Sequence, residues 1–389
     1  MFRRPQGLTL IELMIALLIG TILILGLVQV FAASRSAYML SEGMSRVQEN
    51  GRFALDFLQR DIRMAGHFGC VNDQAHMANA PVGLVTTFGS HPGLDFFTSI
   101  QGYEATGTAP GATLAVAETP ATGGTGFTPV LPAEIAAATS NRVNGSDIIA
   151  LRFLMPEGVP VTAIQGSAGT PVFRFDAARW DVLRSGVENP GLFGVADCLN
   201  TVVFQAAAVG SAAGSVTAGS TNPINASSAF TRVFTEGQAM LHRAESVVYY
   251  VGLNNGRPSL YRVRFTAAPG GGLTAQSQEL IEGVENMQLL YGLDRELTAN
   301  RPPTGYIDRL LAANGVQTAV VPAADAWRRV GAVQIGLLTV SPDRATAAQA
   351  QADLRPLSAL GVAYTAPGDG RYRSVYESTI ALRNRLYGN

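Results

Sequence analysis

Glu12 and the cysteine pair Cys70 and Cys198 are the residues of this chain whose type and placement demand a chemical explanation. Glu12 stands at the edge of a stretch without charge, Leu13 to Ala33. An unpaired carboxylate in hydrocarbon costs roughly several kcal/mol, so a partner for it is expected. Arg3 and Arg4 precede the apolar run, and a basic stub before such a run marks membrane export or anchoring. Export would carry the rest of the chain into an oxidising compartment, where two cysteines are expected to form a disulfide. A Cys70–Cys198 bridge would close a long loop, contribute about 4–5 kcal/mol on a chain-entropy model, and staple a helix end to the globular body.

Other clusters point to no reaction. His67, Cys70, His76 and His91 fit no closed tetrahedral zinc spacing, and Cys70 is better used by Cys198. Gly123-Gly124-Thr125-Gly126 lacks the strand and helix that frame a phosphate loop. No G-x-S-x-G nucleophile elbow occurs. Asp294, Asn300 and Asp308 carry calcium-type oxygens, but a solvated loop is the better reading. Arg371, Arg373, Arg383 and Arg385 interleave with Tyr372 and Tyr376, which suits an amphipathic strand with one wet face better than a nucleic-acid surface. The 28 basic residues are all Arg, so chemistry that needs a lysine is excluded. The expectation is a chain with no catalytic residue, no metal and no cofactor.

The elements that must position Glu12 and the cysteines follow from periodicity. Leu40, Met44, Val47, Gly51, Ala54, Leu58, Ile62 and Ala65 recur at the helical spacing. The pairs Glu42–Arg46, Arg52–Asp56 and Asp56–Arg60 on the opposite face would each add a few tenths of a kcal/mol, roughly. One helix is therefore expected from Leu8 to Ala65, lipid-facing over 8–33 and amphipathic beyond. Gly20, Gly26, Gly43 and Gly51 are its weak points, and Gly66 its C-terminal cap. Ser246 to Val251 and Ser259 to Phe265 flank the turn cluster Asn254 to Pro258 and read as a hairpin. Val284 to Tyr291, Val330 to Val340 and Ser374 to Arg385 read as further strands. Ala105 to Ala138 and Ala206 to Ser228, rich in Gly, Ala, Thr and Pro, read as long loop insertions. The expected class is α+β: a long helix laid on an antiparallel body, residues 66–389. Apolar content of 47% supplies a core, and a net charge of −1 gives no pull toward nucleic acid.

The Gly7-Leu8-Thr9-Leu10-Ile11-Glu12 run resembles the type IV prepilin signature, with a basic leader, a Gly at the cut and Glu as the fifth residue after it. That resemblance implies a leader of residues 1–7, cleavage by a prepilin peptidase between Gly7 and Leu8, N-methylation of Leu8, and a Glu12 that neutralises an N-terminal amine as subunits pack. Leu8 departs from the usual Phe. Arg52 to Gly66, Gly283 to Asp294 and Thr379 to Arg385 resemble the corresponding blocks of PilW-type minor pilins. The implied partners are the peptidase, other minor pilins, the major pilin, an inner-membrane assembly platform and a tip adhesin. The implied location is a single-pass inner-membrane helix with a periplasmic body, present in few copies in the pilus. Four alternatives stay open. Val30-Phe31-Ala32 could serve as a signal-peptide cut, although 21 apolar residues exceed an ordinary h-region and Glu12 would be wasted. A plain anchor explains the length but neither Gly7 nor Glu12. Minor pseudopilins of type II secretion share much of the pattern, and an anchored periplasmic binding or enzymatic domain could borrow the leader. The middle, 71–243, resembles nothing placeable.

Overall fold

The computed structural model describes residues 9–72, 84–167, 169–219, 224–226, 230, 234–298, 301, 303–320, 322–344 and 356–385. Gly7 and Leu8 lie outside the described residues, as do His76 and Asn300.

Helix α1 runs Leu10–Met64, about 80 Å at 1.5 Å per residue. It stops where Ala65 leaves helical geometry and Gly66 takes φ 75°, a left-handed position that glycine occupies without strain. The Gly66 N–H then donates to the Arg152 carbonyl, handing the chain to the body. The first buried residue of α1 is Gly43, and Val47, Gly51, Ala54, Leu58 and Ile62 follow on the same face. Met44, expected on that face, is turned out at 41% exposure. Of the three expected i,i+4 ion pairs, Glu42–Arg46 closes at 3.0 Å, and neither of the other two forms among the described residues.

The body strands that matter here are β1 Ile100–Ala105, β2 Ile148–Leu154, β3 Leu192–Ala196, β4 Thr201–Gly210, β5 Ser215–Ala218, β6 Met240–Asn254, β7 Arg257–Ala267, β8 Leu273–Glu282, β9 Val284–Asp294, β10 Ile307–Leu311, β11 Val330–Arg344 and β12 Arg371–Ala381. They form two principal sheets. The first is organised by the long strand β6. Its early residues pair with β3, and its later ones lie between β2 and β7, with β1 beyond β2 and β8 beyond β7. The second has the order β10–β9–β11–β12 and is antiparallel throughout. Two short pairings elsewhere, 84–86 with 201–203 and 113–115 with 363–365, are parallel. The class is α+β, as expected.

The hairpin of β6 and β7 turns at Asn255 and Gly256, both at positive φ, the requirement of a two-residue type I′ turn. Tyr261, Val263 and Phe265 are buried in alternation along β7. One core cluster joins Ala54, Leu58 and Ile62 of α1 to Ile149 and Leu151 of β2, Val247 of β6 and Met287 and Leu289 of β9. The helix is thus a third layer laid over both sheets.

The segments read as loops are only partly so. Residues 105–138 hold two short strands and the helix Ala133–Ala138. Residues 206–228 contain the end of β4 and all of β5, an antiparallel pair. Small side chains hid the alternation, in which Val216 and Ala218 are buried and Ser215 and Thr217 are half-buried. The last strand also differs from expectation: it begins at Arg371 and gives way to a tight turn over Arg383–Arg385.

Candidate functional site

Helix α1 begins with a capping box. The Glu12 N–H reaches the Thr9 hydroxyl oxygen at 3.4 Å, while the Glu12 carboxylate accepts from the Thr9 N–H at 3.0 Å and the Thr9 hydroxyl at 2.8 Å. Each satisfies a donor that the helix start leaves without a partner. The sequence reading missed Thr9, although the Thr-x-x-Glu spacing ahead of an apolar run signals the motif. Beyond the cap, the large apolar side chains from Leu10 to Phe31 stand bare, each at least half exposed, and touch nothing of the body. This stretch is long and apolar enough to cross a membrane by length and composition. It is a surface without a partner inside its own chain, and Glu12 is the one charged group on it.

The other half of α1 is held firmly. Gly51 faces Tyr376 of β12 so closely that a Cβ there would come within 2.5 Å of the ring. Gly43 lies on Ser341 of β11, where a Cβ would meet the serine Cβ at 3.2 Å. These two glycines, read as bend points, are places where the helix backbone approaches the sheet, whereas Gly20 and Gly26 have nothing near them. Polar ties run the length of the contact. Asn50 donates to the Glu282 carbonyl at 2.9 Å, Gln59 to the Ser378 hydroxyl at 2.9 Å, and Asn384 to the Arg63 carbonyl at 2.9 Å. Near the helix end Asp61 accepts from the Tyr249 hydroxyl at 2.6 Å and lies 3.6 Å from Arg262. Burial pushes the Asp61 carboxyl up, against the lowering effects of Tyr249 and Arg262. Burial also holds the Tyr249 phenol well above its usual range. Behind this pair Glu245 is clasped by Arg243 and Arg264.

The disulfide Cys70–Cys198 forms, with Cα atoms 4.8 Å apart. It links the segment after α1 to the turn between β3 and β4. The approach is tight there: a Cβ on Gly69 would come within 2.6 Å of Ala196, and the Thr201 hydroxyl donates to the Phe68 carbonyl at 2.7 Å. Sequence placed this staple correctly.

The remaining candidates disperse. His67 places Nδ1 on the Leu154 carbonyl at 2.9 Å, and His91 accepts from the Gly93 N–H at 3.0 Å. Among the described residues no three His, Cys, Asp or Glu side chains gather as metal ligands. Asp294 spends its carboxylate on the Glu296, Thr304 and Gly305 N–H groups and the Thr304 hydroxyl, which shapes a loop. Asp308 lies beside Arg309. In the C-terminal arginine group, Arg373 does not face water: its guanidinium is buried between Glu285 and Asp369. That removes the middle of the basic stripe.

Two family models match the chain. Residues 2–28 match the prokaryotic N-terminal methylation motif, and residues 248–384 match the type IV pilus-assembly protein W family. The first covers the cap, Glu12 and most of the bare apolar stretch. The second runs from the middle of β6 to the C-terminal turn, so it takes in the whole of the second sheet. No curated protein and no solved structure shows significant similarity to the chain. Together the two matches support a likeness to PilW-type, prepilin-like proteins of type IV pilus assembly at the two ends of the chain.

Proposed function

We propose that this PilW-type, prepilin-like chain is a minor pilin that helps to initiate or cap a type IV pilus by packing its helix among those of other subunits. Prepilin peptidase cuts between Gly7 and Leu8, the new Leu8 amine is methylated, α1 anchors the protein once in the inner membrane, and the body stands in the periplasm. The observation that carries this reading is the methylation motif set on a helix whose first three residues hold Glu12 and whose apolar stretch touches nothing of its own body.

The chemistry assigned to Glu12 follows from its surroundings. Thr9 supplies neutral donors only. In the low dielectric of a bundle of apolar helices those donors leave the negative charge uncompensated, whereas the N-terminal amine of this or a neighbouring subunit cancels it. Pairing of that kind selects the register between adjacent helices. The size of the body argues for an end position: a bulky subunit crowds its neighbours along a thin filament but has free space at a tip. The partners on this reading are other minor pilins, the major pilin and the assembly platform, with a tip adhesin as a possible rider. A minor pseudopilin of type II secretion would use the same helix, and the match to a pilus-assembly family favours the pilus.

The test is a deletion strain together with a tagged copy. Loss of surface pili while the major pilin stays abundant in the membrane, with traces of the tagged chain in sheared fibres, is the expected result. Normal piliation, with the chain absent from fibres and from every co-purified pilin complex, would overturn the reading.

A further inference from the structure

A cleft of about 550 Å³ opens on the body near the end of α1. Three pieces of chain build it: the first half of β1, the segment 86–97, and Pro132 ahead of the helix Ala133–Ala138. Hydrogen bonds fix its place. The Gly66 N–H, just past α1, donates to the Arg152 carbonyl, and the Arg152 guanidinium donates to the carbonyls of Thr98 and Pro92, both at 2.6 Å. The cleft therefore lies toward the end of α1 farthest from the bare apolar stretch. The Ser246 hydroxyl, donating to the Gly93 carbonyl, pins the same segment, and the Phe96 ring packs against those of Phe68 and Phe88. Walls held in this way make the cleft a pre-formed one, of a size ordinary for a small ligand.

Alternation along β1 sets what faces it. Gln101 and Tyr103 share one side of the strand, while Gly102 between them is turned to the Tyr291 ring on the other. Tyr103 lines the cleft at 1% exposure, and its hydroxyl makes no hydrogen bond among the described residues. A buried hydroxyl left in that state is costly, and a ligand that bonds to it recovers the cost. Asp95 and Gln101, both half-buried, line the same cleft, and their side chains make no hydrogen bond among the described residues either. Phe97, an exposed phenylalanine, completes the set.

These groups select a chemistry. The Asp95 carboxylate only accepts, whereas the Tyr103 hydroxyl and the Gln101 amide both donate and accept. No arginine lines the cleft and the chain has no lysine, so an anion would meet Asp95 with nothing to offset the repulsion. A wholly apolar ligand would strand Asp95 and Tyr103. A quaternary ammonium would suit Asp95 and Phe97 but would offer Tyr103 and Gln101 no hydrogen bond. A neutral sugar ring meets all four, with hydroxyls along its edge and an apolar C–H face.

We propose that this cleft binds a neutral saccharide, with the ring laid on Phe97, neighbouring hydroxyls held by Asp95 and Gln101, and one hydroxyl reached by Tyr103. The inference stands on the cleft and not on the assembly role proposed above. In the end position of that role, the cleft lies on the part of the body turned away from the membrane.

Saturation-transfer NMR on the full chain in a sugar-free detergent tests it, with glucose, galactose, mannose and N-acetylglucosamine as probes. At least one is expected to bind. Phe97→Ala and Asp95→Asn should each weaken that binding about tenfold. Tyr103→Phe removes one oxygen that bonds to nothing in the protein, so it should keep the melting midpoint and weaken binding several-fold. Tyr306→Ala, at an exposed tyrosine outside the cleft, should bind as the unaltered chain does. Failure of all four sugars overturns the proposal, and so does binding preserved in both Phe97→Ala and Asp95→Asn. Binding of tetramethylammonium or N-acetylneuraminic acid in place of the neutral sugars, lost in those same two variants, overturns it as well.

Discussion

The Tyr249 hydroxyl donates to the Asp61 carboxylate at 2.6 Å, joining the last turns of the long helix to the central strand of the larger sheet. Arg262, on the neighbouring strand, stands 3.6 Å from the same carboxylate. The helix is thus fixed to the body by a buried, charge-assisted contact at the end farthest from Glu12.

Removal of either partner should be felt. Tyr249→Phe leaves Asp61 with Arg262 and is expected to cost about 1–2 kcal/mol. Asp61→Ala strands both the phenol and a half-buried guanidinium and should cost more, about 2–4 kcal/mol. Chemical denaturation of the full chain in detergent measures both. Equal, negligible losses would mean that the contact contributes nothing to holding the helix.

Glycines in α1 should divide into two classes. Gly51→Ala pushes a methyl into the Tyr376 ring and is expected to destabilise by about 1–3 kcal/mol, since overpacking forces either the ring or the helix to move. Gly26→Ala meets nothing and should leave body stability unchanged. The same denaturation experiment separates them, and a neutral Gly51→Ala would contradict the close approach.

Residues 1–29 should be dispensable for folding. Burial on α1 starts at Gly43, so a chain beginning after Gln29 keeps every helix–body contact. It is expected to be soluble in the absence of detergent, with the same circular-dichroism melting midpoint as the full chain. Aggregation, or a midpoint many degrees lower, would show that the apolar half supports the body.

Acid should also weaken the body, through His242. Burial lowers this imidazole to about 4, with Nδ1 placed on the Met155 carbonyl at 2.8 Å. A histidine lowered in the folded state contributes stability above its unfolded value near 6.5 and loses it as pH falls toward 4. The melting midpoint should therefore fall as pH drops from about 6.5 toward 4 and be level above that range. His242→Gln should flatten the acid side only.

Mass spectrometry of the purified mature chain should find a methylated Leu8 at its start. The absence of lysine supplies a second check: methylation makes the α-amine secondary and leaves the chain without a primary amine, so a reagent specific for primary amines should label an unmethylated chain at its start and leave the methylated one unlabelled. A terminus at Ala33, or an intact Met1, would remove the basis for the prepilin reading. Glu12→Ala should abolish incorporation into fibres while the melting midpoint of the body stays unchanged. A subunit that still assembled would show that Glu12 does not set register.

Sequence by itself determined the local and periodic features. The anchor was legible because a lipid-facing helix must be apolar on every side, and Glu12 was conspicuous because it breaks that rule. The amphipathic half showed its 3.6-residue period, the β6–β7 hairpin its Asn-Gly turn, and the disulfide followed from having two cysteines behind an N-terminal segment that reads as an export signal. Tertiary structure decided whatever depends on residues far apart in the chain. Gly43 and Gly51 look like flexible points until Ser341 and Tyr376 are seen against them. Arg373 looks solvent-facing until Glu285 and Asp369 close around it. Glu104 and Asp147, buried at 4% and 1% exposure, have no mark in the sequence, because the distinction between a buried acid and a surface acid lies in what surrounds it. The strands within 206–228 escaped for a related reason: Ala, Gly and Thr form a strand only where a neighbouring strand supplies the packing and the hydrogen bonds.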